Sequence, residues 1–154
     1  MRLRLLVCSL AAVAWAGCVD TKQCHMAIDW KPCPGQAAQP GASGSPPTIV
    51  ELSLPTCAFV DAPTVKGTLH VSDPDGDAQV LKATLYVGMR NSEDEIELDD
   101  AGRTGNDWNG AITVGLAASG GTMVMEGSND VVVKVTDRAG AQSVPYCNTI
   151  ALVK

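Results

Sequence analysis

Residues 71–87 read VSDPDGDAQVLKATLYV. An apolar–polar alternation runs up to a turn and resumes after it. Val71 closes the first run. Asp73-Pro74-Asp75-Gly76-Asp77 supplies the turn: Pro presets φ, Gly tolerates positive φ, and Asp hydrogen-bonds nearby amides. Leu81, Ala83, Leu85 and Val87 then share one face, and Met89 continues it. Period two marks a half-buried strand, so this strand–turn–strand phrase commits the region to β structure.

The same period extends both ways. Upstream, 49–54 places Val50, Leu52 and Leu54 on one face, and 64–71 turns Val65, Gly67, Leu69 and Val71 inward with Lys66, Thr68 and His70 outward. Downstream, 95–99 buries Ile96 and Leu98 between acids. Residues 108–116 align Trp108, Ile112, Val114 and Leu116, and 131–136 align Val131, Val133 and Val135. The last strand is 144–153. DPDGD, AGRTGN, ASGGT and DRAGA are the turns between strands, and no segment carries a useful helical repeat. Seven short strands separated by such turns predict an all-β, antiparallel sandwich over 48–154.

VSDPDGDAQVLKATLYV and VVVKVTDRAGAQS (131–143) resemble phrases of bacterial immunoglobulin-like domains, the broad group that includes PKD, fibronectin III and cadherin-like modules. The resemblance covers 48–154 and implies an Ig-like sandwich. It says little about activity, because such sandwiches host many roles.

Residues 1–17, MRLRLLVCSLAAVAWAG, read as an export signal. Arg2 and Arg4 precede an apolar run from Leu5 to Ala16, too short for the roughly 20 residues that span a bilayer. Two cleavage readings stand. Ala14-Trp15-Ala16 is an A-x-A site, whereas Ala16-Gly17-Cys18 resembles the end of a bacterial lipobox, with Trp15 where that pattern carries an aliphatic residue. Of six cysteines, Cys8 leaves with the signal, and cutting before Gly17 leaves an odd set. Lipidation of Cys18 leaves Cys24, Cys33, Cys57 and Cys147, which can pair completely in an oxidising compartment. That favours a membrane anchor on Cys18. Val19 rather than Asp follows it, which by resemblance to Gram-negative lipoproteins implies the outer membrane; ordinary cleavage would leave the protein periplasmic or secreted.

Between signal and sandwich, 18–47 reads as a tether. QAAQPGASGSPP (36–47) has the composition of a flexible linker. Four cysteines allow three pairings; the local one joins Cys24 to Cys33 and leaves Cys57 with Cys147. His25 beside Cys24 raises a zinc reading, but no second Cys-x-x-Cys or His pair supports it. Trp30 is the odd residue of the tether, an aromatic near the anchor that would either pack on the domain or contact a partner.

The formal net charge is −6, and loss of Arg2 and Arg4 makes it −8, so no basic footprint for nucleic acid exists. The chemistry concentrates in DPDGD, whose alternate carboxylates can converge oxygen ligands on a hard cation. An up-and-down strand order puts the turns after the second, fourth and sixth strands at one end. That brings Asp73, Asp75 and Asp77 towards Asp137 and Asp107. The expectation is a weak Ca²⁺ site of Asp73, Asp75 and Asp77 with Asp137 as a fourth ligand, and no required cofactor; the competing reading is an ordinary turn. SEDEIELDD (92–100) reads as a charged edge strand that blocks aggregation, or as a surface for cations or a basic partner. No nucleophile elbow, P-loop or H-E-x-x-H occurs. The function expected is an envelope-anchored, non-catalytic binding or structural module, not an enzyme, with an envelope or extracellular protein or a glycan as partner. The alternative is a small secreted hydrolase or enzyme inhibitor, and an enzyme would need a deep pocket with convergent polar groups.

Overall fold

The computed structural model describes residues 24, 26–87, 90–116 and 126–154. The signal stretch 1–17, Cys18, His25, Met89 and the ASGGT turn lie outside the described residues.

Among the described residues, eleven strands form two sheets. They are β1 (Ala27–Asp29), β2 (Lys31–Pro32), β3 (Thr48–Pro55), β4 (Cys57–Phe59), β5 (Thr64–Ser72), β6 (Ala78–Val87), β7 (Arg90–Glu97), β8 (Arg103–Thr104), β9 (Asp107–Gly115), β10 (Gly127–Asp137) and β11 (Tyr146–Val153). One sheet runs β1-β3-β5-β9-β8 and the other β2-β11-β10-β6-β7. All ladders are antiparallel except that of β4, which lies parallel to β11. This is the Ig-like sandwich expected from the sequence. The seven long strands correspond to the seven periodic runs.

The core is the space between the sheets. Leu52, Leu54, Val65, Leu69 and Val71 meet Leu81, Leu85, Val131, Val133, Val135, Ile150 and Leu152 there, all buried, with Trp108, Ile112 and Val114 beside them. One predicted facing is wrong. Val50 is 53% exposed and Ile49 is buried instead. A bulge between Ile49 and Glu51 in the ladder with β5 shifts the register by one residue, and one residue of slip exchanges the faces of a strand.

The larger correction concerns 18–47. Residues 27–33 pair into the sheets and do not form a tether, whereas 34–46 are mostly exposed and held to the domain by a few backbone hydrogen bonds. β1 extends the first sheet at β3, with Ala27 opposite Pro55, and β2 extends the second at β11, with Lys31 opposite Cys147. The chain crosses from one sheet to the other at Trp30, whose indole is 2% exposed and joins the core cluster. Trp30 N–H donates to Leu52 O at 2.8 Å and Trp30 Nε1 to Leu54 O at 3.2 Å. The packed unit therefore begins well before Thr48.

The disulfides follow that path. They are Cys24–Cys57 and Cys33–Cys147, not Cys24–Cys33 and Cys57–Cys147. The ladder gives the reason. Cys57 lies opposite Ala151, and Cys147 is four residues further back on β11, about 13 Å at ~3.3 Å per residue. A disulfide needs Cα atoms roughly 4.4–6.8 Å apart. The observed pairs meet this, at 4.9 Å and 5.0 Å. They close 33- and 114-residue separations that interleave. Loops of those lengths correspond to ~3.7 and ~4.8 kcal/mol taken singly in the chain-entropy account.

Candidate functional site: an acid-lined end of the sandwich

β5 and β6 belong to opposite sheets, so the DPDGD turn between them crosses the end of the sandwich. Asp73 O accepts Gly76 N–H at 2.9 Å, and Asp73 Oδ1 accepts Asp75 N–H at 2.9 Å. This is the turn that Asp at the first position and Pro at the second favour. The loop after β10 repeats the device: Asp137 Oδ1 accepts Ala141 N–H at 2.8 Å, and Asp137 O accepts Gly140 N–H at 3.2 Å. Asp137 pairs across the ladder with Ala78, the residue after Asp77. Arg138 N–H donates to Asp77 O at 3.3 Å, so the two turns also touch.

This register brings three carboxylates together. Asp73, Asp77 and Asp137 each offer an oxygen within 4.8 Å of the others'. Asp73 is 1% exposed and Asp137 3% exposed. Asp73 Oδ2, Asp77 Oδ1 and Asp137 Oδ2 are buried and have no hydrogen-bond partner. Among the described residues, no ion pair involves any of the three. Burial, and then the charges of Asp77, Asp137 and Asp75, push the Asp73 carboxyl above its ordinary 3.8; the bond from Asp75 N–H opposes this. Burying unpaired charge is expensive, and a group so placed neutralises or takes a cation.

Two expected members stand elsewhere. Asp75 is exposed and turned outward, where its Oδ2 accepts Ser45 N–H at 2.6 Å. It is a link to the N-terminal segment, not part of the cluster. Asp107 pairs with His70 at 3.9 Å on the outer face. The turn has supports that the sequence did not single out. Arg103 Nη1 and Nη2 donate to Gly76 O and Ala78 O, both at 2.7 Å. Asn106 O accepts Asp73 N–H at 2.8 Å, and Asn106 Nδ2 donates to Pro74 O at 2.9 Å.

The acidic run 92–100 overlaps the edge strand β7, as expected. Glu93 and Glu95 pair with Lys82 at 3.1 Å and 2.7 Å, and these partners raise the lysine's pKa. Asp94 Oδ2 accepts Gly115 N–H at 2.6 Å, joining the two sheets at that edge.

The described residues line clefts of two kinds. One, of about 440 Å³, is mainly apolar, lies beside Cys24–Cys57 and is lined by Pro55, Ala58, Phe59 and Val65. The other, of about 200 Å³, lies over Tyr86 between Gln36, Gln39, Lys134 and Gln142. Ser143, on its wall, has its Oγ engaged as acceptor of Val135 N–H. Neither cleft joins a nucleophile to a base.

No family model and no curated protein matches the chain. Among solved structures it is similar to the PKD domain of an M14-like peptidase from Thermoplasmatales archaeon SCGC AB-540-F20, with 17% identity and a TM-score of 0.41 over 73% of this chain and 100% of that one. The overlay is too loose to carry function.

Proposed function

We propose that this chain is an exported, non-catalytic module whose acid-lined end binds Ca²⁺, and that Cys18 anchors it to the outer membrane by lipid. The observation that carries the cation reading is the convergence of three carboxylates from two turns, each with a buried oxygen that has no hydrogen-bond partner. Ca²⁺–oxygen bonds of about 2.4 Å allow one ion to touch oxygens up to about 4.8 Å apart, whereas Mg²⁺ at about 2.0–2.1 Å demands a tighter set. Water completes the shell. The role is structural: the ion relieves repulsion between the turns and stiffens the end of the sandwich, where a partner protein or glycan would dock. The two disulfides support an oxidising compartment, and the described residues hold no helix long and apolar enough to cross a membrane.

A thermal scan in millimolar Ca²⁺ and in chelator tests the cation. At tenfold excess over a Kd of roughly 10⁻⁴–10⁻³ M, the ion adds ~1.4 kcal/mol, and the melting point rises by several degrees. Equal melting points in both buffers would refute the site. Radioactive palmitate tests the anchor: label lost on Cys18→Ser supports it, and an unlabelled soluble protein refutes it.

A further inference from the structure

Segment 39–45 lies across both turns that carry the acids. On the turn after β10, Gln39 exchanges two backbone hydrogen bonds with Gln142, at 2.9 and 2.8 Å, and Ala42 N–H donates to Ala139 O at 3.0 Å. On the DPDGD turn, Ser45 N–H meets Asp75 Oδ2 at 2.6 Å. Two glycines permit this. A Cβ on Gly41 would strike the backbone of Ala139 and Ala141, and Gly44, at φ 78°, lies against the Asp75 carboxylate. One end of the segment is thus fixed to the loop of Asp137 and the other to the loop of Asp73 and Asp77. Those loops carry carboxylates that repel each other and whose buried oxygens have no partner.

We infer that a cation at Asp73, Asp77 and Asp137 acts as a clasp for segment 39–45: bound, it holds the two turns at the spacing the segment needs, and removed, it lets the turns part and the segment lift. This rests on the cation reading above. The segment is the one part of 33–48 whose hold depends on the turns, because Cys33 is fixed to Cys147 and β3 to β5. Lifting it has a consequence for binding. Docked, Gln36 and Gln39 wall the cleft over Tyr86; released, that cleft opens along one side, and the backbone of Gln142 is freed for another strand or ligand. Export would take the protein into whatever Ca²⁺ level the envelope or medium holds, so the clasp reads that level.

Amide hydrogen exchange on the oxidised protein, with Ca²⁺ and with chelator, tests this. If the ion binds only the docked form, tenfold excess over Kd slows opening-limited exchange at Gln39, Ala42 and Ser45 about elevenfold, while amides of β5 and β9 serve as fold controls. Asp77→Asn should lose the response. Coupling is reciprocal, so Gly41→Val, which lifts the segment without touching a charge, should weaken the Ca²⁺ affinity measured by calorimetry severalfold. A melting shift with Ca²⁺ but unchanged exchange at 39–45, or unchanged affinity in Gly41→Val, would overturn the clasp and leave the cation site standing. No binding heat and no melting shift would overturn both.

Discussion

Asp77→Asn is expected to stabilise the metal-free protein, the reverse of what most substitutions near a packed turn do. Asp77 is half-buried, its Oδ1 has no partner, and its backbone oxygen, which receives Arg138 N–H, is unaffected by the change. The substitution keeps the side-chain shape and removes one charge facing two others within 4.8 Å. At that distance each pair repels by ~0.9 kcal/mol in bulk water and ~3.5 at an effective dielectric near 20. Partial exposure places Asp77 towards the lower figure, so two pairs give a gain of roughly 1–3 kcal/mol. For a unit of this size that raises the melting point by at least ~3 °C. The assay is calorimetry at neutral pH and low salt in chelator, repeated in millimolar Ca²⁺. Wild type should gain on adding Ca²⁺ and the variant should not, so their order narrows or inverts. A variant that melts at or below wild type in chelator would refute the claim that these carboxylates are repelling, charged neighbours.

Three further outcomes follow from the same structure. Non-reducing peptide mapping should recover Cys24–Cys57 and Cys33–Cys147, and Cys147→Ala should cost about 2–5 kcal/mol in denaturant unfolding; a Cys57–Cys147 peptide would contradict the β4–β11 register. Trp30→Ala, by emptying a buried site and removing the bond to Leu54 O, should cost about 3–5 kcal/mol, and an unchanged urea midpoint would return 26–47 to the status of a tether. In chelator, stability should rise as pH falls from neutral. Burial and then neighbouring carboxylates raise the folded-state pKa of Asp73, so its stabilising contribution is full below the unfolded value of 3.8 and is lost as pH rises through the folded pKa. Comparing the pH profile with that of Asp73→Asn isolates the effect, and identical profiles would refute it.

The long strands were legible because each buries one face over eight or more residues, long enough for period two to show. Val50 failed for a local reason, since a bulge leaves the alternation looking intact in the sequence while exchanging its faces. β1, β2, β4 and β8 failed for another. Strands of two or three residues carry no periodicity, and only their pairing partners define them. The Gly- and Pro-rich composition of 36–47 reads as a linker because alanine is its only aliphatic side chain besides proline. Its order comes from backbone hydrogen bonds that Gly41 makes room for, and from a disulfide on one side. Composition reports the capacity to bury a core and is blind to that kind of docking. Trp30 was the visible sign, a large aromatic where a tether needs none.

The acid site was half legible for a reason that bears on how it works. Alternate spacing treats Asp73, Asp75 and Asp77 as equivalent, as they would be in an extended strand. In the tight turn they are not. Asp73 uses one oxygen to cap Asp75 N–H, which sends Asp75 outward to Ser45 and leaves the second Asp73 oxygen free within the site. Asp137 divides its oxygens in the same way, between Ala141 N–H and the cluster. Proximity of the two turns then depends on an irregularity: the β10–β6 register shifts between Thr136 and Asp137, which pairs Asp137 with Ala78 and brings it beside the residue before Ala78. A one-residue slip of β10 on β6 would turn Val131, Val133 and Val135 out of the core, so packing fixes the strands, while the turns beyond them carry the repulsion. Hydrophobic packing elsewhere in the molecule therefore sustains an electrostatically unfavourable end, and that is the feature on which the proposed cation would act.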